Sequence, residues 1–173
     1  MIALVSIGNV DEHFLNALGP SLKKVFDQRI RIAERIELPR KSCNPDRGQH
    51  LASSLLAVLS PLPGSGDRVL GVADVDIFAP GLNFVFGEAD IHGRRAIISL
   101  HRLRQEFYDL PRDANLLWKR ALKEAVHELG HTYGVRHCPD PTCVMYFSNS
   151  LPDTDFKGWN FCPYCQGKVN RKA

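Results

Sequence analysis

Charge of either sign is in short surplus in this chain of 173 residues: 22 Lys and Arg stand against 19 Asp and Glu, a formal net charge of +3. So small an excess implies neither a nucleic-acid nor a membrane-surface partner. No apolar run approaches the roughly 18 residues of a membrane helix. The opening residues Met1-Ile2-Ala3-Leu4-Val5-Ser6-Ile7-Gly8 lack a basic start and a cleavage site, so a strand is expected there and not a secretory signal. Internal repeats and low-complexity tracts are missing. So is a phosphate-cradling loop, since Pro63-Gly64-Ser65-Gly66 lacks the Lys-Ser/Thr of a P-loop. With 44% hydrophobic and 24% charged residues the composition is globular, which excludes disorder, collagen and coiled coil. The length suits one domain, 1–173, large enough to bury its own core.

Cysteine is scarce and unevenly spread. There are five, an odd number, and four of them fall at 138–165. That distribution suits metal binding in a reducing compartment better than a secreted disulfide scaffold, so a cytoplasmic protein is expected. Cys43 is left over and is given no role.

Apolar spacing organises the rest. Residues 1–8 read as a buried strand and 11–28 as a helix, with a break or kink at Gly19-Pro20. Alternation over 29–38 predicts a half-buried strand, 39–49 a loop, and 50–59 a helix stopped by the Pro/Gly/Ser cluster at 61–66. Three strands follow at 68–78, 83–90 and 96–100. A longer helix is expected over about 113–133, with Asp113 as N-cap and Gly134 as its left-handed stop. The basic groups at Arg94-Arg95 and Arg102-Leu103-Arg104 read as solvated surface. The remainder, 135–173, is rich in Cys, Pro, Asp and Asn and shows little periodicity. A metal staple would be physically useful there.

One segment carries chemistry: His127-Glu128-Leu129-Gly130-His131-Thr132-Tyr133-Gly134-Val135-Arg136-His137. Positions i and i+4 of a helix share a face, so His127 and His131 can grip one Zn²⁺. A straight helix would carry position 137 away. Gly134 permits a positive φ that turns the chain and returns His137 as third ligand. Three protein ligands leave one tetrahedral position for water, the pattern of a catalytic site. Glu128, beside the first ligand, can reach that water as general base. Separately, Cys138, Cys143, Cys162 and Cys165 form two close pairs about twenty residues apart, the spacing of a closed tetrathiolate zinc site. Two disulfides or four reduced thiols are the alternatives.

These residues resemble the metzincin clan of zinc peptidases, and most of all its archaemetzincin branch. The closer likeness rests on Cys138 directly after His137, on Cys143-Val144-Met145, and on Phe161-Cys162-Pro163-Tyr164-Cys165. The resemblance implies a structural zinc on the four cysteines. It also implies a Met-turn in which Met145 lies beneath the three histidines; read alone, Met145 would simply fill core. It further implies an antiparallel edge strand that holds an extended substrate, here Gly87, Glu88 and Ala89 within 83–90. An ordinary hairpin strand with a bulge is the other reading of those three residues.

The expected fold is therefore α/β (α+β): a metzincin-like domain with a mixed twisted sheet, an antiparallel edge strand and two or three main helices. Residues 1–134 would form the sheet-and-helix part and 135–173 a zinc-stapled C-terminal part. The expected activity is zinc-dependent hydrolysis of peptide bonds by a zinc-bound water with Glu128 as base. The cofactors would be two Zn²⁺ per chain and the partner a peptide or protein substrate, with no nucleic acid, no membrane and a monomer favoured. A noncatalytic zinc-stabilised module that binds peptides is the competing reading.

Overall fold

Ile2–Ile7 is buried at every position and forms β1, as expected of a parallel strand covered on both faces. The chain then enters α1 (Glu12–Phe26), whose N-cap Asp11 accepts a hydrogen bond from the amide of His13. β2 (Ile30–Ile32) returns parallel to β1. A short hairpin of β3 (Cys43–Asn44) and β4 (Gln49–Leu51) leads into α2 (Ala52–Ala57). Next come β5 (Arg68–Ala73), β6 (Ile77–Phe78), β7 (Gly87–Ala89) and β8 (Arg95–Ser99). The chain ends with α3 (Ala114–Thr132), α4 (Leu151–Phe156) and α5 (Pro163–Asn170). This computed structural model describes residues 1–59 and 68–171.

The main sheet has five strands in the order β2-β1-β5-β8-β7. The first four run parallel, and β7 closes one edge antiparallel to β8, with Gly87 opposite Ile98, Glu88 opposite Ile97 and Ala89 opposite Ala96. A second, small sheet joins β3, β4 and β6. The period-two alternation of strand side chains divides the interior. Leu4, Leu70, Val72 and Ile98 face α1 and α3, while Ala3, Val5, Val69 and Ile97 face α2. The domain is thus a mixed α/β fold with helices on both sides of one twisted sheet.

Several elements differ from the sequence expectation. α1 runs through Pro20 without a break. Burial of Leu15, Leu18, Leu22 and Phe26 outweighs the roughly 3 kcal/mol of a proline inside a helix. The strand expected over 29–38 is ladder-paired only at Ile30–Ile32, with one further bridge from Ile36 to Ile7. The expected loop at 39–49 contains a 3₁₀ turn at Arg40–Ser42 and the β3–β4 hairpin. The strand expected at 68–78 is divided between the two sheets, because Asp74 and Asp76 turn aside to pair with Arg104 and Arg102. These two arginines are therefore partly buried ion-pair partners and not free surface. The C-terminal part holds two unforeseen helices, and the helix stop at 61–66 lies outside the described residues.

Candidate active site

α3 places the first two histidines. Asp113 caps it by accepting from the amide of Leu116 at 2.8 Å, and an apolar face including Leu117, Ala121, Leu122, Ala125 and Leu129 holds it against the sheet. Its last turn ends in a Schellman arrangement: the amide of Val135 donates to the carbonyl of Gly130, and that of Gly134 to the carbonyl of His131. Gly134 has φ +74°, the left-handed conformation this stop requires. The chain reverses there and carries His137 back over the helix. The ring of His137 lies 5.3 Å from that of His127 and 4.9 Å from that of His131, centroid to centroid. One nitrogen from each of the three histidines falls within 4.8 Å of the other two.

The hydrogen bonds of these rings fix their tautomers. Nδ1 of His127 faces the carbonyl of Val144 at 2.8 Å, and Nδ1 of His131 faces that of Val135 at 2.7 Å. A carbonyl only accepts, so each Nδ1 carries the proton and each neutral ring presents a bare lone pair at Nε2. The two Nε2 atoms face each other at 3.1 Å. Lone pairs so close repel unless a cation lies between them. The spacing matches the roughly 3.3 Å expected for two nitrogens each about 2.05 Å from a tetrahedral zinc. Burial pushes His127 well below the usual imidazole range and His131 down to about 4, and it lowers His137 as well. The rings thus stay neutral, as metal ligands must.

Glu128 is 6% exposed at the floor of the cleft. Burial, and then the nearby Glu124 carboxylate, hold its carboxyl well above the ordinary range, while Lys157 opposes the shift. The cleft itself has a volume of about 770 Å³ and runs between β7, with the preceding segment, and the chain after Met145. Gly87, Glu88 and Ala89 all line it, as do His127, Glu128 and Phe147.

Met145 is fully buried. A methyl group placed on Gly130 would fall 2.6 Å from its sulfur, so the thioether packs against the backbone of α3 at Gly130. The amide of Cys138 donates to the carbonyl of Met145 at 2.9 Å, which ties this turn to the third histidine. The four C-terminal cysteines converge beside it, with sulfurs all within 4.8 Å and those of Cys138 and Cys162 3.8 Å apart. That is far beyond a disulfide bond and close to the roughly 3.8 Å edge of a tetrahedral zinc thiolate. Both donor sets therefore fit zinc. Cys43 is exposed and belongs to neither.

The seven expected ligands lie in these two clusters, Glu128, Gly87, Glu88 and Ala89 line the cleft, and Met145 packs against Gly130. Glu124 and Lys157 were not foreseen. Glu124 sits one helical turn before Glu128 on the same face, a signal the spacing does contain. Nothing in the sequence marks Lys157, which reaches the site only through the path of the chain after α4.

A parallel sheet with an antiparallel edge, an active-site helix bearing two histidines, and a returning third histidine define a zinc-peptidase type of domain. The sequence profile of peptidase family M54 matches residues 4–171. An archaemetzincin of Methanocaldococcus jannaschii is 45% identical over 172 residues, covering 99% of this chain and 94% of its own. The crystal structure of an archaemetzincin from Methanopyrus kandleri superposes with a TM-score of 0.87 at 37% identity, covering 99% of this chain and 94% of that one. That of a zinc-dependent peptidase from Methanocorpusculum labreanum gives 0.90 at 28% identity, covering 98% of this chain and 100% of that one. The chain belongs to peptidase family M54, the archaemetzincin family of zinc metallopeptidases.

Proposed function

We propose that this protein hydrolyses peptide bonds in the cleft beside β7, with His127, His131 and His137 holding a catalytic zinc and Glu128 acting as general base. Cys138, Cys143, Cys162 and Cys165 would hold a second, structural zinc. The observation that carries the reading is the pair of unprotonated Nε2 atoms 3.1 Å apart, each ring pinned by a carbonyl at Nδ1. Zinc in that position would supply an electrophile that polarises a peptide carbonyl and acidifies water.

The chain's own groups supply the rest. Glu128 takes a proton onto its carboxylate and returns it to the leaving amine. Backbone groups on the outer edge of β7, which pairs with no other strand among the described residues, can pair with an extended peptide as an added strand. Met145 supports the histidines from below and the cysteine cluster anchors the turn that carries it. The four free thiols grouped round a common point suit a reducing cytoplasm.

Glu128→Gln tests the assignment. The variant should keep the metal content of the wild type, while kcat/KM on a peptide library falls by about 10²- to 10⁴-fold. Full hydrolytic rate in the variant would remove Glu128 from the mechanism.

A further inference from the structure

A buried ion pair lies behind the histidine cluster. Glu124 is 3% exposed, and its Oε1 is 3.0 Å from Nζ of Lys157 and accepts from Oγ1 of Thr154 at 3.1 Å. Lys157, just past α4, is 1% exposed. Its Nζ also stands 3.4 Å from Nδ1 of His127. Nδ1 already donates to Val144, so this is a contact between two donors and not a hydrogen bond. A full positive charge is therefore held against the back of His127, one imidazole ring away from the Nε2 that faces His131.

Joining the two helices does not require that charge. Arg120 pairs with both oxygens of Asp155 at 2.7 and 2.6 Å, and Lys123 donates to the carbonyls of Thr154 and Asp155 at 2.9 and 2.7 Å. These contacts already bind α3 to α4. Burying a further ammonium is costly, and an apolar side chain of similar volume would often serve stability as well. A charge kept in such a place acts over short range with little screening by salt.

We propose that Lys157 is a positioning residue which, acting through Glu124 and His127, sets the charge balance of the histidine site: its ammonium lowers zinc affinity there and the Glu124 carboxylate raises it. The inference rests on the reading of those histidines as zinc ligands. A cation fixed behind one ligand repels the metal, and the Glu124 carboxylate paired with it offsets that repulsion. Zinc affinity should then follow the net charge of the pair, whatever happens to packing.

The test compares wild type, Lys157→Met, Glu124→Gln and the double variant. The histidine-site zinc dissociation constant is read by competition with a chromogenic chelator, and zinc retained by the cysteines reports an intact fold. Lys157→Met should bind zinc at least tenfold more tightly and Glu124→Gln at least tenfold more weakly. The double variant should return to within about threefold of wild type. A merely structural pair would weaken zinc in both single variants, and that result, or four equal constants, overturns the proposal. If Lys157→Met loses its cysteine-bound zinc and fails to fold, Glu124→Gln and the double variant still decide, because the amide is isosteric with the carboxylate. Wild type that takes up only the cysteine-bound zinc would sink the site reading and this inference together. Two zinc ions with equal constants would sink this inference alone.

Discussion

The side chain of Glu128 rests against the bare Cα of Gly87: a methyl group placed on that glycine would fall 2.6 Å from Cγ of Glu128 and 2.6 Å from the carbonyl oxygen of Ile97. The edge strand thus comes so close to the active-site helix that only glycine fits between them. Gly87→Ala must move either the strand or the carboxylate. Metal content should stay at the wild-type value while kcat falls on the order of 10²-fold, the usual result of displacing a reacting group by about 1 Å. Steady-state kinetics with metal analysis checks this, and an unimpaired kcat would show that Glu128 tolerates the shift.

Gly130 stands in the same relation to Met145 and Phe161, whose nearest atoms would lie 2.6 and 3.0 Å from an added methyl. Gly130→Ala gains about 1 kcal/mol of helix propensity but overpacks a closed core, which costs about 1–3 kcal/mol. A net loss of stability is expected in urea unfolding. In a Met145→Ala background the same change should become neutral or stabilising, because the obstructing sulfur is gone. Additive effects in that double-mutant cycle would break the supposed contact.

The cysteine cluster is continuous with the histidine cluster along the chain. Cys138 follows His137, and Val144, whose carbonyl orients His127, follows Cys143. Replacing Cys162 with Ser should remove one zinc and lower Tm by about 10 °C or more. It should also weaken zinc at the histidines by roughly 10- to 100-fold, since the group that orients a ligand is loosened. Scanning calorimetry and zinc titration give the two readings. Loss of the first zinc with unchanged affinity for the second would show the sites to be independent.

Protonation should set the acid stability of the protein when its histidine site is free of metal. His131 is held down to about 4 in the folded chain against 6.5 for an ordinary imidazole. Between those values the unfolded chain binds the extra proton. The contribution is therefore fully present above about pH 6.5 and is lost as pH falls toward about 4, a change of roughly 3 kcal/mol. Glu128, raised by burial, acts in the opposite sense: it favours the folded state at low pH and loses that effect as pH rises through its raised value. Urea unfolding at pH 7 and pH 5 should show wild type losing stability relative to His131→Asn as the pH falls, because the Glu128 contribution is common to both. An unaltered slope in the variant would mean that His131 is not buried as a neutral ring.

Local sequence rules read the strongest elements well. Asp113 and Gly134 bound the active-site helix because capping and a left-handed stop are decided within four residues. They failed where tertiary burial opposes them, as at Pro20, and where short elements lack periodicity, as in α4 and α5. Even there a local signal existed: Ser150 and Asp153 form a capping box and Pro163 opens α5.

By itself, the order of residues determined the helix, its turn and the spacing of seven potential ligands, because one helical turn and one glycine suffice to point three imidazoles at a common centre. That the strand at 83–90 lies at the sheet edge was only an implication of the family resemblance, and the fold placed β7 there. Only the folded chain decided that Gly87 touches Glu128, that Met145 fits under Gly130, and that Lys157 lies buried against Glu124 and His127. Those contacts join residues 15 to 41 positions apart. No local periodicity encodes them, since they follow from how strand, helix and C-terminal turn fill one shared interior.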